Sequence, residues 1–343
     1  MKMDISILIC THCSAKRLPE TLNHLKRQKN TEPIAWEVII VDYISSDGTI
    51  DIAREIWSDF GVPLIILSES AAGKTPALET GLKNARGASI CIVDDDNWVN
   101  EDYVMVAYNI MNDHPEIGVI GAFGEAHCEI EPPEWFEENK GVYAVGSQGA
   151  NRGYVVNKER LWFWGAGCVI QRDAWLKAKA KGFVPRLNPT RGEESNKFKK
   201  GFTGGEDPEL CFAIQLVGYR LWYEPKLKYK HYIPKGRLTT EFLANAVQGV
   251  SAAGPILRVY LAEVTPPSFL GLIRKLLYKN WILHMLYLWL KYPYLIIKAY
   301  FFKSRESALS IAQIKYSYSS QIQALFDLRK SFGNIVRSIE NLR

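Results

Sequence analysis

The sequence lacks several features that mark specialised classes of protein. It has no internal repeat and no low-complexity tract, which argues against solenoids and repeat arrays. It has no uncharged apolar run of about 18 residues or more, so a membrane-spanning helix is not expected. The amino terminus shows no charged segment followed by a long apolar stretch and a small-residue cleavage site, so no export signal is expected.

Cysteine and net charge are also modest. The six cysteines are scattered, and Cys10, Cys91 and Cys168 lie in apolar runs where a thiol behaves as a small hydrophobic group. We therefore expect a reduced, cytoplasmic protein. Cys10 and Cys13 have a C-x-x-C spacing, but no second pair accompanies them, so a structural zinc site is not expected. A net charge of +5 is too small to indicate a nucleic-acid partner.

The composition is that of a folded protein. Of the 343 residues 47% are apolar and 23% are charged, which excludes a largely disordered chain. This length suits an α/β domain of about 250 residues with a C-terminal addition. We predict a catalytic domain over residues 1–265 and a helical region over residues 266–343.

Apolar strand-like runs alternate with helical spacings in the first third of the chain. Such alternation predicts a parallel sheet covered by helices on both faces. Ligands of these sheets bind beyond the carboxyl ends of the strands, so the side chains found there should line one crevice. The predicted strands span residues 5–10, 37–41, 63–67 and 89–93, and they end near Thr11, Asp42, Ser68 and Asp94.

The later part of the chain is less regular. We predict a helix over 101–112, a strand over 117–123 and loops over 125–160. Beyond them we expect a buried strand over 161–170, a mobile loop over 186–205, a helix over 208–217 that begins with Pro208, and strands over 220–223 and 227–231.

Three consecutive carboxylates follow the fourth predicted strand. Asp94, Asp95 and Asp96 would repel one another unless a cation lay among them. Mg²⁺ and Mn²⁺ prefer oxygen ligands and often share them with phosphate groups, so the triplet predicts a divalent cation bound with a diphosphate. A solvated acidic turn is the alternative.

A resemblance to a known family rests on five motifs. They are Ser6–Thr11, Val41–Thr49, Gly73–Lys74 with the helix after it, Val93–Asp96, and Gly205–Asp207. Over roughly residues 5–232 the chain resembles family 2 glycosyltransferases. The resemblance implies a GT-A fold, a Rossmann-like and mostly parallel sheet flanked by helices. It also implies a nucleotide-diphosphate sugar donor, with a UDP-sugar expected, and inversion at the anomeric carbon.

The resemblance also implies roles for individual residues. Asp207 would be the general base, and Glu206 would orient the acceptor, a saccharide or a lipid-linked sugar of polysaccharide biosynthesis. Mn²⁺ or Mg²⁺ would be bound by Asp94, Asp96 and His231. The residues predicted to contact the nucleotide are Thr11, Asp42, Asp47, Lys74, Asp94 and Asp95. Structural roles stay open for some of them: Asp207 as a helix N-cap, Asp47 as a turn residue and His231 as a surface residue.

Two other functions compete with this interpretation. Ala72–Thr75 lies between a strand and a helix, as a phosphate-binding P-loop does, which would indicate an NTPase. The full P-loop pattern requires glycine where the chain has Ser68, and Pro76 follows the motif directly. A non-catalytic carbohydrate-binding protein is the third alternative, and it leaves the set of acidic residues unexplained.

The C-terminal region combines bulky apolar residues with basic ones. Arg274, Lys275, Lys279 and Lys291 interrupt an otherwise apolar and aromatic stretch. This pattern is typical of helices that lie in the lipid head-group region, which predicts a peripheral enzyme on the inner face of the cell membrane. Packing against the catalytic domain, or against a second copy in a homodimer, is the alternative.

Overall fold

The computed structural model describes residues 3–155, 161–187, 204–266, 268–301 and 307–343. Within these residues, nine strands form a single sheet: β1 Ile5–Thr11, β2 Trp36–Tyr43, β3 Leu64–Glu69, β4 Ser89–Ile92, β5 Asn97–Val99, β6 Ile117–Cys128, β7 Gly153–Tyr154, β8 Cys168–Gln171 and β9 Arg220–Ile233. Their order is β3-β2-β1-β4-β8-β6-β9-β5, and β7 pairs with β9.

The first four strands confirm the predicted parallel units. β1 pairs in parallel with both β2 and β4, and all seven of its residues are buried because helices cover both faces. The register places Thr11 beside Asp42, and Asp42 beside Ser68. Polar side chains at the carboxyl ends of three strands therefore lie side by side, as the sequence predicted.

The second half of the sheet is mixed. β8 runs antiparallel to both β4 and β6, whereas β9 is parallel to β6. The two strands predicted over 220–223 and 227–231 are one strand, because β9 continues through Pro225 with a register shift opposite Gly121–Phe123. β5 was not predicted, since three residues carry no periodicity. Its antiparallel pairing with β9 places Asn97 opposite His231.

The strand predicted over 161–170 is wrong for most of its length. Only Cys168–Gln171 is a strand. Gly167 has a φ of +63°, and a Cβ at Gly165 would lie only 2.2 Å from Oδ1 of Asp207. Phe163 and Trp164 are nevertheless buried. The run is apolar because it packs as an irregular segment over the sheet, which periodicity does not distinguish from a strand.

Helices flank the sheet and form the C-terminal region: α1 Leu18–Lys26, α2 Thr49–Trp57, α3 Lys74–Asn84, α4 Tyr103–Asp113, α5 Phe136–Asn139, α6 Arg172–Ala180, α7 Glu206–Leu216, α8 Thr240–Ala252, α9 Gly254–Val264, α10 Phe269–Lys279, α11 Trp281–Phe301, α12 Ser307–Asp327 and α13 Phe332–Glu340. β6, α5 and β7 occupy part of the region predicted as loops over 125–160. Most of the mobile loop predicted over 186–205 lies outside the described residues.

Helix α7 begins earlier than predicted. Its N-cap is Gly205, with a φ of +100°, and Glu206 and Asp207 lie in the first turn. The predicted start at Pro208 and the alternative role of Asp207 as the N-cap are therefore both wrong. The left-handed conformation at Gly205 favours glycine, and it places both carboxylates at the positive end of the helix dipole.

The C-terminal helices pack on the rest of the chain through α8 and α9. α12 contacts α8, whereas α10 and α13 contact α9. Glu263 of α9, which is only 4% exposed, forms ion pairs with Lys275 (3.4 Å) and Lys279 (2.8 Å) of α10. These two lysines therefore face the protein. The outer sides of α10 and α11 expose large apolar residues, among them Phe269, Leu272, Leu276, Trp289 and Leu290.

Candidate active site

Lys74 is the central cation at the carboxyl edge of the sheet. It is the first residue of α3, and its Nζ lies 2.7 Å from Oδ1 of Asp94, which follows β4. Its charge also interacts with Asp207 and Glu206 in the first turn of α7. The side chains of Lys74 and Asp94 are only 18% and 24% exposed. Three motifs that are far apart in sequence therefore meet around one buried ammonium group.

The charges in this cluster depend on one another. Burial opposes the charge of Lys74, but Asp94, Asp207 and Glu206 together raise its pKa well above the ordinary value. Burial, followed by the charge of Asp207, raises the pKa of Glu206. Glu206 and Asp207 therefore share the positive charge of Lys74 and influence each other's protonation.

The backbone around Gly165 confines Asp207. A Cβ added at Gly165 would lie 2.2 Å from Oδ1 and 2.7 Å from Cγ of Asp207. Real atoms do not approach so closely, so a side chain at position 165 would require the Asp207 carboxylate to move. The irregular segment between Leu161 and Gly167 thus forms a wall beside this carboxylate.

Asp95 contacts the end of β1 and the loop that follows it. Its Oδ2 accepts hydrogen bonds from Thr11 Oγ1 (3.0 Å) and from the Ser14 hydroxyl, and it lies 3.5 Å from Nη2 of Arg17. Asp95 and Thr11 are both buried. These contacts join the end of β4 to the end of β1, and they give both residues a structural role in shaping the crevice.

The carboxyl end of β2 carries two predicted nucleotide ligands. The Oδ1 atom of Asp42 is buried and has no hydrogen-bond partner within the described residues, so an acceptor is left unsatisfied at this strand end. Asp47 accepts hydrogen bonds from the backbone N–H groups of Ala15 (3.0 Å) and Thr49 (3.2 Å). Burial is the largest single influence and raises the pKa of Asp47, but these bonds and the one from the Thr49 hydroxyl together lower it. Asp47 therefore has the structural role of a turn residue.

The β5–β9 pairing brings Asp96 next to His231. Oδ1 of Asp96 lies 3.4 Å from Nε2 of His231, and both residues are buried. Nδ1 of His231 is 2.6 Å from the carbonyl oxygen of Tyr143, so Nδ1–H donates to this oxygen and, in the neutral ring, Nε2 bears the lone pair. The alternative of His231 as a surface residue is therefore wrong. Nη1 of Arg237 contacts both members of this pair.

The predicted metal ligands thus fall into two groups. Asp96 and His231 share one position, whereas Asp94 pairs with Lys74. The described parts of the chain contain no cluster of three or more histidine, cysteine, aspartate or glutamate side chains arranged to hold a metal ion. A carboxylate and an imidazole whose other nitrogen is hydrogen-bonded do fit a divalent cation that takes its remaining ligands from a diphosphate and water.

Sequence reasoning missed several residues around the site. Ser14 and Arg17 bind Asp95, and Arg237 binds Asp96. Glu209, which is 1% exposed, accepts hydrogen bonds from the backbone N–H groups of Arg186 (2.9 Å) and Leu187 (3.0 Å), and burial raises its pKa to about 7. No local pattern distinguishes these residues from other polar ones, because their partners are remote in sequence.

A family model decides where this chain belongs. Residues 6–180, just over half of the chain, match the model described as Glycosyl transferase family 2. The chain belongs to this family. The matched region contains the strand-end acids, Lys74 and the segment at Gly165, and it ends before Glu206. The family confirms the predicted enzyme class, and neither the NTPase nor the non-catalytic alternative is favoured.

Curated relatives of this family 2 member match it over limited stretches. Glycosyltransferase GlyA of Streptococcus pneumoniae is 32% identical over 203 residues, which cover 59% of this chain and 27% of that protein. The dolichyl-phosphate beta-glucosyltransferase of Mus musculus is 30% identical over 138 residues, which cover 37% and 42%. The chain therefore spans less than half the length of either relative.

Solved structures show the fold over nearly the whole chain. The mannosyltransferase PcManGT from Pyrobaculum calidifontis, in complex with GDP-Man and Mn²⁺, is 18% identical with a TM-score of 0.55, covering 100% of this chain and 86% of that one. Residues 1–349 of Staphylococcus aureus TarS in complex with UDP are 15% identical with a TM-score of 0.53, covering 96% and 92%. The predicted GT-A fold with a helical C-terminal region is confirmed.

Proposed function

We propose that this protein transfers a sugar from a nucleotide-diphosphate sugar to a hydroxyl group of a saccharide or lipid-linked acceptor, with inversion at the anomeric carbon. One observation carries the proposal. Lys74 joins Asp94, at the predicted donor end of the crevice, to Glu206 and Asp207 at the predicted acceptor end. A sugar bound between these groups would meet both its leaving group and its acceptor.

The donor would bind along the strand ends. We propose that Asp42, whose buried Oδ1 has no hydrogen-bond partner within the described residues, accepts a hydrogen bond from a base or ribose. We keep Thr11, Asp47, Lys74, Asp94 and Asp95 as predicted contributors to this site. A UDP-sugar is the donor we propose, in keeping with the UDP complex of TarS. GDP-Man in PcManGT makes a GDP-sugar the first alternative.

The transfer step requires a base for the acceptor hydroxyl. We propose that Asp207 accepts this proton while the hydroxyl oxygen attacks the anomeric carbon from the face opposite the diphosphate. Glu206, whose raised pKa favours the protonated form, would donate a hydrogen bond that orients the acceptor. Lys74 balances the negative charge of the acid pair and keeps its two members close together.

A divalent cation, Mn²⁺ or Mg²⁺, is part of the proposal. Asp96 and His231 would hold it, and Asp94 remains the third predicted ligand. When bound, such an ion supplies stabilisation of the negative charge on the departing diphosphate. Mn²⁺ in the structure of PcManGT supports this choice of ion.

A donor screen tests the proposed reaction. Purified protein with Mn²⁺ is offered UDP-, GDP- and dTDP-sugars together with saccharide acceptors, and release of the nucleoside diphosphate is measured. We expect one class of donor to yield diphosphate in proportion to the glycosylated product. ATP and GTP serve as controls: hydrolysis of either one, without sugar transfer from any donor, would contradict the proposal.

The C-terminal region would bring the enzyme to its acceptor. We propose that residues 266–343 form a region distinct from the catalytic domain of residues 1–265, and that α10 and α11 lie on the inner face of the cell membrane. Phe269 and Leu290 are 78% and 76% exposed, and the basic residues Arg274 and Lys291 are exposed among such apolar groups. None of the helices in the described residues is long and apolar enough to cross a bilayer.

A further inference from the structure

The side chain of Arg237 contacts both Asp96 and His231. Its Nη1 lies 3.1 Å from Oδ2 of Asp96 and 3.3 Å from Nε2 of His231. The guanidinium is 16% exposed and the Asp96 side chain is 4% exposed, so water screens this contact weakly. Arg237 follows β9 in a single turn of 3₁₀ helix, six residues beyond His231.

The guanidinium of Arg237 contacts the same Asp96 carboxylate and His231 nitrogen that would bind a metal ion. In the neutral form of His231, Nδ1–H donates to the carbonyl oxygen of Tyr143, and the lone pair of Nε2 can accept a hydrogen bond or bind a cation. One nitrogen of Arg237 has two protons, and it directs one toward Nε2 and the other toward Asp96. A divalent cation and this guanidinium therefore cannot bind the pair at the same time.

We propose that Arg237 is an internal cation that occupies the Asp96–His231 pair when no donor is bound, and that a divalent cation must displace it. The proposal rests on the metal position proposed above. It predicts that Arg237 weakens the binding of free metal ion and couples metal binding to the diphosphate, since a released guanidinium then has a new anionic partner.

The main chain of Arg237 is held independently of its side chain. Its carbonyl oxygen accepts a hydrogen bond of 2.9 Å from the Tyr143 hydroxyl, and its N–H donates to the carbonyl oxygen of Pro234 (2.8 Å). Replacement of the side chain should leave this turn in place. The neighbouring Lys235 is exposed, has the same charge and provides a matched control.

The test measures Mn²⁺ binding without any nucleotide. Free Mn²⁺ is followed by electron paramagnetic resonance during titration of the full chain and of Arg237→Gln. In the wild type, the hydrogen bonds from the charged guanidinium should keep the Asp96–His231 pair occupied in most molecules. Without this competitor, Arg237→Gln should bind Mn²⁺ at least about tenfold more tightly. Lys235→Gln should bind as the wild type does. The double variant Arg237→Gln/His231→Gln should lose the gain, which assigns the ion to this pair.

Three results would overturn the proposal. They are equal Mn²⁺ affinity of wild type and Arg237→Gln, no Mn²⁺ binding by either protein, or an equal gain in Lys235→Gln, which would indicate a general effect of charge. Failure of the proposed function is distinguishable, because the donor screen at saturating Mn²⁺ does not depend on which cation occupies the pair in the free protein. If sugar transfer were observed but wild type and Arg237→Gln bound Mn²⁺ equally, the proposed exchange of Arg237 for the metal ion would be rejected. The proposed glycosyltransferase function would stand.

Discussion

The site at the strand ends and the outer face of the C-terminal helices differ in which groups they bury and which they expose. In the crevice charged groups are buried and matched, as Lys74 is by Asp94 and Asp96 is by Arg237. On α10 and α11 apolar groups are exposed, and within the described residues no element covers Leu276 or Trp289. Buried charge is costly unless paired, and exposed apolar surface is costly unless covered. The first region therefore pairs these buried charges within the chain, whereas the second leaves apolar surface for the partner proposed above.

Removal of the positive charge of Lys74 should have the largest effect on stability. Lys74→Met leaves Asp94, Glu206 and Asp207 without their shared partner. We expect a loss of about 3–5 kcal/mol in the free energy of unfolding at pH 8, because breaking a buried ion pair strands the remaining charges. Guanidinium titration measures it. Lys83→Met, an exposed residue of the same helix, should change stability little, and equal stability of all three proteins would refute the matched-charge interpretation.

Glu209 should give stability a characteristic pH dependence. Its folded pKa of about 7 lies above the ordinary value of 4.5, so the folded protein binds one proton more than the unfolded chain between these values. Stability from the protonated form is thus present below about pH 4.5 and is lost as the pH rises toward 7.

The difference in unfolding free energy between wild type and Glu209→Gln should therefore fall by about 3 kcal/mol from pH 4 to pH 8. Chemical denaturation across this range measures it. The exposed Glu138→Gln serves as the control and should give a nearly constant difference. A constant difference for Glu209→Gln as well would show that this buried acid does not titrate as expected.

The wall beside Asp207 should tolerate no added atom. Gly165→Ala would place a methyl group against the Asp207 carboxylate and move it from its position. We expect the rate of sugar transfer to fall by about 10- to 100-fold, since a displacement of about 1 Å in a reacting group has effects of this size. Gly61→Ala, where an added Cβ meets nothing within 4 Å, is the control. Unchanged kcat in Gly165→Ala would mean that this wall does not position the base.

One added negative charge on the exposed apolar side of α10 should weaken membrane binding. Leu276→Glu introduces an acid among exposed apolar groups, and we expect binding to anionic vesicles to weaken by about tenfold, because one buried leucine contributes roughly this much. Co-sedimentation measures it, and Ser58→Glu controls for the change in charge. Unaltered vesicle binding, with loss of a dimer in sedimentation, would instead assign this face to a second copy of the chain.

The sequence predicted the elements whose stabilising contacts are local or periodic. The parallel β1–β4 units and the strand-end positions of Thr11, Asp42 and Asp94 follow from apolar runs and turn residues, and the structure confirms these elements. It did not predict β5, which exists only because β9 pairs with it, or the irregular path through Gly165, which depends on Asp207. Contacts between residues remote in sequence determine these two features, and hydrophobic periodicity does not reveal such contacts.

The site followed the same division. Asp94, Asp96, His231 and Lys74 were named in advance, but the ion pairs of Lys74 with Asp94 and of Arg237 with Asp96 were not predicted. Arg237 looks like any basic surface residue until β9 and its following turn bring it to Asp96. Likewise, Lys275 and Lys279 looked like lysines that reach toward lipid, yet Glu263 binds both. Charge pairing between remote elements is a property of the fold, so a list of charged residues cannot supply it.

The substitution Asp207→Asn tests the proposed transfer mechanism most directly. Asp207→Asn keeps the size of the side chain in the first turn of α7 and removes its ability to accept a proton. With the donor identified by the screen, transfer to the acceptor and binding of the donor with Mn²⁺ are measured on the same preparation. We predict that kcat falls by about 10²- to 10⁴-fold while the donor still binds. Transfer at the wild-type rate by Asp207→Asn would contradict the account.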